Sequence, residues 1–295
     1  MSGPRQGELF GGDWALRWNG GRSVWQHRHQ RDLFTPDHHE AVLLPDDGPA
    51  RTFLEAHHYL AGWPAAVHRI GLIDHRHPGT DGLPGRLVGV MVLSVPTNVR
   101  VLTNPFPHLV PYTETLEVSR LCLKDEVGFN GESWFCAAAF RLVAERGVRG
   151  VVSFSDPAPY RRRTVYGTEV VTKGHIGTTY QALNFQYLGR TARRTEIVLP
   201  DGSVLHDRCV TKVRRGERGA AAVERRLVAL GARPRIRGQT GTAWLDQVLN
   251  EIGATRRPSS RKHRYALAIG RPRTVIGMTA LPYPKSDAWR AAHPA

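Results

Sequence analysis

Two serines and an aspartate close an apolar stretch near the middle of the chain, Gly150-Val-Val-Ser-Phe-Ser-Asp-Pro157. The apolar run predicts a buried strand, and Pro157, which lacks a backbone N–H, predicts that this strand ends near Asp156. We therefore expect Ser153, Ser155 and Asp156 at the carboxyl edge of a sheet, where a carboxylate can accept a proton. A turn or cap role for Asp156 before the proline is the structural alternative.

The elements that must position these side chains alternate between strand and helix. Strands are predicted at 86–95, 115–123, 150–156, 185–189 and 262–270, and helices within 52–68, at 131–147 and at 178–183. The segment from 115 to 156 reads as strand, helix, strand, which is the unit of a mostly parallel sheet. The chain is therefore predicted to be an α/β (α+β) protein with a mixed central sheet flanked by helices.

The composition indicates a globular protein. Its 295 residues are 41% hydrophobic, and no stretch approaches the roughly 18 apolar residues of a membrane span. We expect a soluble, cytoplasmic protein without a membrane partner. The three cysteines (Cys122, Cys136 and Cys209) lie far apart and form no Cys-x-x-Cys pair, so a disulfide framework and a thiolate zinc site are not indicated.

The positive charge is concentrated in the C-terminal third. Residues 200–295 contain 19 Lys and Arg against 7 Asp and Glu, a net charge of +12 of the total +15. Such a local excess favours a polyanionic partner, because each phosphate contact releases counterions. Nucleic acid is the predicted partner, and a merely solvated basic face is the alternative.

Four segments are predicted along the chain. They are an irregular N-terminal extension (1–51), a core (52–213), a basic helical insertion (214–260), and a C-terminal strand and tail that completes the core (261–295). Within the core, the polar residues 158–173 read as an insert that loops out. The sequence EIVLPDGSVLHDR predicts a hairpin with Asp201-Gly202 at its turn.

Several short motifs in fixed order resemble one family. The strand and helix order of residues 86–189 resembles the GNAT acetyltransferase fold, in which two parallel strands splay apart around the donor. The segments HHY (57–59), EVSRL (117–121), ESWF (132–135), GVVSFSDP, GHIGTTYQALNFQYLG, KHRYALAIG and PYPK resemble the Mom family of phage DNA-modification proteins. That resemblance implies transfer of a carbamoylmethyl group to the exocyclic amine of adenine in DNA, which shields phage DNA from restriction in the cytoplasm of the infected host.

The resemblance implies roles for several side chains in the core. Asp156 is expected to accept a hydrogen bond or proton from the adenine amine, Ser155 to donate to the base or the acyl oxygen, and Tyr180 to act as a general acid. Arg120 interrupts an apolar strand and is expected to hold a phosphate or to pair with Asp156 or Glu117. Each side chain also has a structural alternative, as a cap, a core tyrosine or an ion pair.

A donor and a metal are further expectations. His58 and Tyr59 are candidate catalytic residues, and His58 with Asp156 is the candidate metal pair, because the family is associated with iron; no spacing motif indicates a metal. The donor is expected to be acyl-CoA or another glycine- or acetyl-type compound. Its candidate binding residues precede and open the helix at 131: Gly128, Gly131, Glu132 and Ser133. The loop lacks the spacing of the GNAT pyrophosphate motif.

The adenine amine lies on the Watson–Crick edge, so the base is expected to flip out of double-stranded DNA. Tyr59, Trp63 and Phe154 are the aromatic candidates for stacking on it. The candidate DNA-backbone contacts are Arg235, Arg237, Arg257, Lys262, His263 and Arg264.

Two other functions stay open at this point. A conventional GNAT N-acyltransferase acting on a protein or small-molecule amine explains the core and leaves the basic third unexplained. A non-catalytic DNA-binding protein explains the charge and leaves Asp156, Tyr180 and Arg120 without a purpose.

Overall fold

The computed structural model describes residues 14–19, 22–27, 34–58, 62–128, 130–158, 160–164, 167–172 and 174–285. The chain divides into two compact units. The core unit consists of residues 1–157, 172–190 and 262–295, and the basic unit of residues 158–171 and 191–261. The name of the second unit reflects its charge, with 18 Lys and Arg against 8 Asp and Glu, a net of +10.

The core unit is built on a seven-stranded mixed sheet. Its strands are β3 (His39–Leu43), β4 (Ala66–Asp74), β5 (Arg86–Ser94), β6 (Thr115–Leu123), β7 (Gly150–Ser155), β10 (Gln186–Arg190) and β14 (His263–Ala268), in the order β10-β14-β7-β6-β5-β4-β3. All neighbours are antiparallel except β6 and β7, which are parallel. A separate two-stranded sheet pairs β1 (Trp14–Asn19) with β2 (Arg22–His27).

Helices cover both faces of this sheet because β5 is apolar on both sides. One face packs Val88, Met91 and Leu93 against α3 (Gly131–Ala144). The opposite face packs Val90 and Val92 against α1 (Asp47–His57). A 3-10 turn (Pro36–His38) and the short helices α2 (Arg100–Thr103) and α4 (Thr178–Ala182) complete the unit.

A bulge in β6 opens the sheet at its parallel pair. Between β5 and β6 the register passes from Leu93 opposite Val118 to Val92 opposite Arg120, so Ser119 is an extra residue. The Ser119 hydroxyl donates to the Val92 carbonyl at 3.2 Å. Since a bulge bends its strand, β6 separates from β7: their pairing ends at Val118 and Ser153, although both strands continue.

The basic unit has its own hydrophobic core. It contains a three-stranded sheet of β12 (Val204–Leu205), β11 (Thr195–Val198) and β13 (Thr255–Pro258), a two-stranded sheet of β8 (Tyr160–Thr164) and β9 (Gly167–Thr172), and the helices α5 (Asp207–Arg215), α6 (Ala220–Ala229) and α7 (Gly241–Glu251). Trp244 lies at its centre, fully buried with Leu227 and Leu245.

The fold class predicted from the sequence is confirmed, including the splayed parallel pair that the GNAT resemblance implied. Several local predictions differ. The helix predicted within 52–68 begins earlier, at Asp47, where the Asp46 carboxylate caps it, and residues 66–74 form β4 instead. Strand β3 lies inside the extension predicted to be irregular, and the insert at 158–173 forms β8 and β9.

The boundary between core and insertion also differs from the predicted position at residue 213. Residues 191–213 belong to the basic unit, because Leu205, Val210 and Val213 pack into the cluster around Trp244. In the part of the chain that the structure describes, no helix is both long and apolar enough to cross a membrane.

Candidate functional site

The end of β7 lies where its partner strand β6 has bent away. β7 ends at Ser155, and Asp156 follows immediately, as the proline at position 157 predicted. On its other side β7 stays paired with β14, with His263 opposite Ser155. The backbone at Ser155 and Asp156 therefore has a neighbouring strand on one side only, and the opening left by β6 faces these residues.

The loop at residues 174–177 closes over this strand end. The His175 amide donates to the Asp156 carbonyl at 2.8 Å, which fixes the loop to the strand. Gly177 has a φ of +76°, and a Cβ there would lie 2.7 Å from Cε2 of Tyr265 and 3.0 Å from Oγ of Ser155. Only glycine allows this approach.

Tyr265, on β14, provides a fixed hydroxyl beside Ser155. Its hydroxyl donates to the Ile176 carbonyl and accepts a hydrogen bond from Nε2 of Gln181 at 3.3 Å. Burial raises the pKa of Tyr265 to about 12, so the phenol stays protonated at neutral pH.

Ser155 is the buried polar group that this arrangement leaves available. Its side chain is fully buried, and its Oγ lies close enough to the Tyr265 hydroxyl to oppose the rise of that pKa slightly. No hydrogen bond of good geometry joins Ser155 Oγ to the residues that the structure describes. A buried hydroxyl normally has a partner, and the Tyr265 hydroxyl is the group beside this one.

Asp156 and His175 place two proton acceptors at the strand end. The His175 side chain is exposed. The surrounding protein partly desolvates its ring and lowers its pKa, and the charge of Asp156 opposes that shift, so the net direction is downward and the imidazole is neutral at pH 7. In the sequence His175 lies within the GHIG segment, and no pattern predicts a role for it. Its relation to Asp156 depends on a loop closure that no local pattern indicated.

Arg120 lies on the bulge and ties it to a neighbouring segment. Its guanidinium donates to the Ser119 carbonyl at 2.8 Å and to the Gly62 carbonyl at 3.0 Å. Burial raises the pKa of Glu117, and the charges of Lys262 and Arg120 oppose this rise. These interactions favour a structural role for Arg120, with Glu117 as its charged neighbour, over a contact with a phosphate or a pair with Asp156.

Two predicted site residues are buried in an aromatic cluster. The Tyr180 ring packs 5.2 Å from that of Phe185 and 5.6 Å from that of Tyr265, and it is 7% exposed. This placement favours a core role for Tyr180 over a general acid. His263 is 3% exposed and its Nδ1 meets the Tyr187 hydroxyl at 2.9 Å. This placement favours a core role for His263 over the predicted contact with DNA phosphates.

The remaining predicted residues of the amine site are dispersed. His58 follows the last turn of α1 and Tyr59 lies outside the described residues. Trp63 packs under the guanidinium of Arg51, 5.2 Å from its ring centre. Phe154 points to the sheet face opposite Ser155 and packs with the cluster that contains Leu102 and Phe106, so it is not placed to stack on a base beside Ser155.

A family assignment follows from the sequence of this whole region. The model of the Mom protein family matches residues 44–285, which is most of the chain. The chain belongs to the Mom family. No curated protein sequence matches it. Membership indicates a phage-type DNA-modification protein.

Solved structures similar to this Mom family chain include a GNAT protein and an acetyltransferase. A tandem GNAT protein from the clavulanic acid biosynthesis pathway has 14% identity and a TM-score of 0.38, over 79% of this chain and 99% of that one. An acetyltransferase from Bacillus subtilis in complex with CoA has 10% identity and a TM-score of 0.29, over 79% and 99%. Similarities at these TM-scores say nothing about the function of the chain.

The predicted donor loop lacks the spacing of the GNAT pyrophosphate motif. Its acidic side chains are partly neutralised, because Lys124 lies in the same loop and Glu126 pairs with Arg86 at 3.1 Å. Gly131 serves packing, because a Cβ there would lie 2.5 Å from Cγ1 of Val127. The predicted Gly128 and Ser133 also make local bonds: the Gly128 carbonyl accepts from the Gly131 amide at 3.1 Å, and the Ser133 hydroxyl donates to the Asn130 carbonyl at 3.0 Å.

Iron, which the family resemblance implied, has no support from the described side chains. In the part of the chain that the structure describes, no group of three or more His, Cys, Asp or Glu residues is arranged to hold a metal ion. His58 and Asp156 therefore do not form part of such a group there.

The predicted DNA-contact residues differ in availability. In the basic unit, Arg235 pairs with Glu224 at 3.2 Å and Arg257 with Glu196 at 3.2 Å. Arg237 is exposed and has no ion pair with the described residues. In the core unit, Lys262 is exposed, while the half-buried Arg264 donates to the Leu188 carbonyl at 3.1 Å.

Proposed function

We propose that this Mom family chain transfers a carbamoylmethyl group to the exocyclic amine of adenine in double-stranded DNA. In an infected bacterium, the modified base would protect phage DNA from restriction. The observation that carries the proposal is that the family match spans both the strand end at Ser155 and Asp156 and the basic unit. A conventional acyltransferase has no use for that unit.

The chemistry requires a proton acceptor at the amine. The adenine nitrogen is a weak nucleophile because its lone pair is delocalised into the ring. When it gains a bond to carbon it must lose one proton. In the proposal, the Asp156 carboxylate orients the amine and accepts this proton, and the neutral His175 is the neighbouring base that passes it to solvent.

Ser155 orients the reacting groups. Its buried Oγ donates a hydrogen bond to the base or to the carbonyl oxygen of the incoming group. Tyr265 keeps its proton, and together with Gly177 it packs beside Ser155.

The target base must leave the helix to reach these residues. Its amine lies on the Watson–Crick edge, so the proposal includes base flipping. The charge of the basic unit supports binding to the DNA backbone, with strong salt dependence. The donor in the proposal is a glycine-type compound that already carries the CH2–CO–NH2 unit, because an acetyl group lacks the amide nitrogen. The adenine nitrogen bonds to the CH2 carbon while the bond from that carbon to the leaving group breaks, and the leaving group departs with the bonding electron pair. Acyl-CoA is not assigned, because the loop before α3 lacks the spacing of the GNAT pyrophosphate motif.

The test is mass spectrometry of nucleosides from plasmid DNA of cells that express the chain. We expect a deoxyadenosine heavier by one carbamoylmethyl group with the wild type, and its loss by a factor of about 100 or more with Asp156→Asn, as is usual for removal of a catalytic acid or base. Asp37→Asn, at an exposed carboxylate, is the control and should modify DNA like the wild type.

Two results would contradict the proposal. Unmodified DNA from cells that contain folded wild-type protein, tested in an infected host so that the donor is present, would argue against DNA modification. Full modification by Asp156→Asn would leave DNA modification in place and remove Asp156 from the chemistry.

A further inference from the structure

The connection between α6 and α7 presents an isolated apolar side chain. Residues 230–240 read LGARPRIRGQT, and Ile236 in this loop is 71% exposed. Arg235 precedes it and Arg237 follows it. Exposure of one isoleucine is common on protein surfaces, so the inference depends on how this loop is held and on what flanks its tip.

Hydrogen bonds hold the loop in one conformation. The Gln239 amide donates to the Ile236 carbonyl at 3.2 Å, and the Ile236 amide donates to Oε1 of Gln239 at 3.4 Å. Gly238 between them has a φ of +85°, which suits glycine at the turn. At the base of the loop, Nε1 of the buried Trp244 donates to the Arg233 carbonyl at 2.8 Å. The isoleucine is thus presented by a pre-ordered turn.

The two arginines that flank Ile236 differ in their ion pairs. Arg235 is paired with Glu224 on α6 at 3.2 Å, which orients it beside the tip. Arg237 has no ion pair among the described residues and is exposed. Arg237 therefore places a positive charge without an ion pair among the described residues next to Ile236, in a unit whose net charge is +10.

We propose that Ile236 is an apolar wedge that inserts between base pairs in the minor groove of DNA, with Arg237 and Arg235 in the groove beside it. Minor-groove proteins combine arginine contacts with an apolar side chain that unstacks one base step and kinks the duplex. The partner class rests on the proposed function. The wedge adds a reason why that function is feasible, because local unstacking lowers the cost of flipping an adenine.

DNA fits these observations better than a membrane surface. An interfacial membrane anchor needs a broad apolar face, whereas the neighbours of Ile236 at the tip are Pro234 and the two arginines. A wedge needs a single apolar side chain on a rigid support.

The experiment uses the full chain and duplexes that carry 2-aminopurine at a TpA step, which unstacks easily. Wild type should raise 2-aminopurine fluorescence on binding. Ile236→Ala should bind roughly tenfold more weakly, because less apolar surface is buried against the bases, and should abolish the fluorescence rise. Ile236→Leu should keep both. Val275→Ala, at a side chain 76% exposed in the core unit, is the matched control and should behave as wild type.

The outcomes separate the wedge from the proposed function. Unchanged binding and fluorescence for Ile236→Ala would overturn the wedge, while plasmid modification by the same variant would keep the proposed function intact. Ile236-dependent binding to phosphatidylglycerol vesicles without Ile236-dependent unstacking would also overturn it. If wild type unstacks DNA in an Ile236-dependent way but does not modify it, the wedge is supported and the proposed reaction is contradicted. An exposed residue affects folding little, so equal unfolding midpoints are expected for all variants.

Discussion

Tyr265 keeps its proton because the fold buries it between Ser155 and the loop that carries Ile176. Its pKa is raised to about 12, above the value of about 10 in an unfolded chain. The folded state therefore holds this proton more tightly than the unfolded state does. Its contribution to stability is fully present below about pH 10 and is lost as the pH rises toward 12.

We predict that Tyr265→Phe changes the alkaline pH dependence of stability. Urea unfolding should show that wild type loses stability more steeply than the variant between about pH 10 and 12. The slopes of the unfolding free energy against pH should differ by the amount that corresponds to about one proton. At pH 8 the variant should be less stable by about 1 kcal/mol, because Ile176 and Gln181 lose their partner. Parallel curves for the two proteins would contradict the assigned burial of the phenol.

The position of Asp156 could be predicted from sequence, because a proline after an apolar run ends a strand whatever the tertiary structure. The importance of His175, Tyr265 and Gly177 could not. They lie 19, 109 and 21 residues from Asp156 along the chain, and only loop closure and the pairing of β14 with β7 bring them to the strand end. The burial of His263 could not be predicted for the same reason: a basic sequence neighbourhood does not reveal which face of a strand is buried.

At the scale of elements, patterns with a strong period were predictable. The strands β5, β6, β7, β10 and β14 and the helix α3 follow from apolar runs and helical spacing. The bulge at Ser119 was not predictable, because it exists only as a shift of register against β5. That bulge ends the parallel pairing and creates the open strand end, so the feature that makes the site has no local sequence signal.

The loop at 174–177 supplies an element-scale prediction. Gly177→Ala should cost about 2–4 kcal/mol in urea unfolding, because the residue has a positive φ and the new methyl would meet the Tyr265 ring and Ser155 Oγ. Gly147→Ala is the matched control, since its φ is +90° and nothing lies within 4 Å of the position that its new methyl would take. The control should cost only about 1 kcal/mol. Equal losses for both variants would mean that the close approach at Gly177 is not formed.

At the scale of the whole molecule, charge and candidate chemistry belong to different compact units. The core unit holds the strand end and has 23 Lys and Arg against 18 Asp and Glu, a net of +5, while the smaller basic unit carries +10. The sequence predicted the excess in the C-terminal third. It could not assign residues 191–199 or the insert at 158–171 to the same unit, because that assignment depends on packing around Trp244.

This division predicts which arginines determine the salt dependence of DNA binding. Arg218, Arg225 and Arg256 are exposed on the basic unit and have no ion pair with the described residues. Arg214, by contrast, pairs with Asp246 at 3.1 Å, and Arg208 pairs with Glu217. An arginine already neutralised by a carboxylate releases fewer counterions when it meets a phosphate, so the first group should contribute more to the slope of log K against log salt.

The measurement is the dissociation constant of the full chain for duplex DNA at several salt concentrations. Each of Arg218→Ala, Arg225→Ala and Arg256→Ala should reduce the magnitude of the slope by about 1 for every phosphate that the arginine neutralises. Arg214→Ala is the matched control, with a smaller change because Asp246 is released at the same time. Uniformly unchanged slopes in the first group, with wild type still bound tightly, would mean that DNA contacts lie outside these positions of the basic unit.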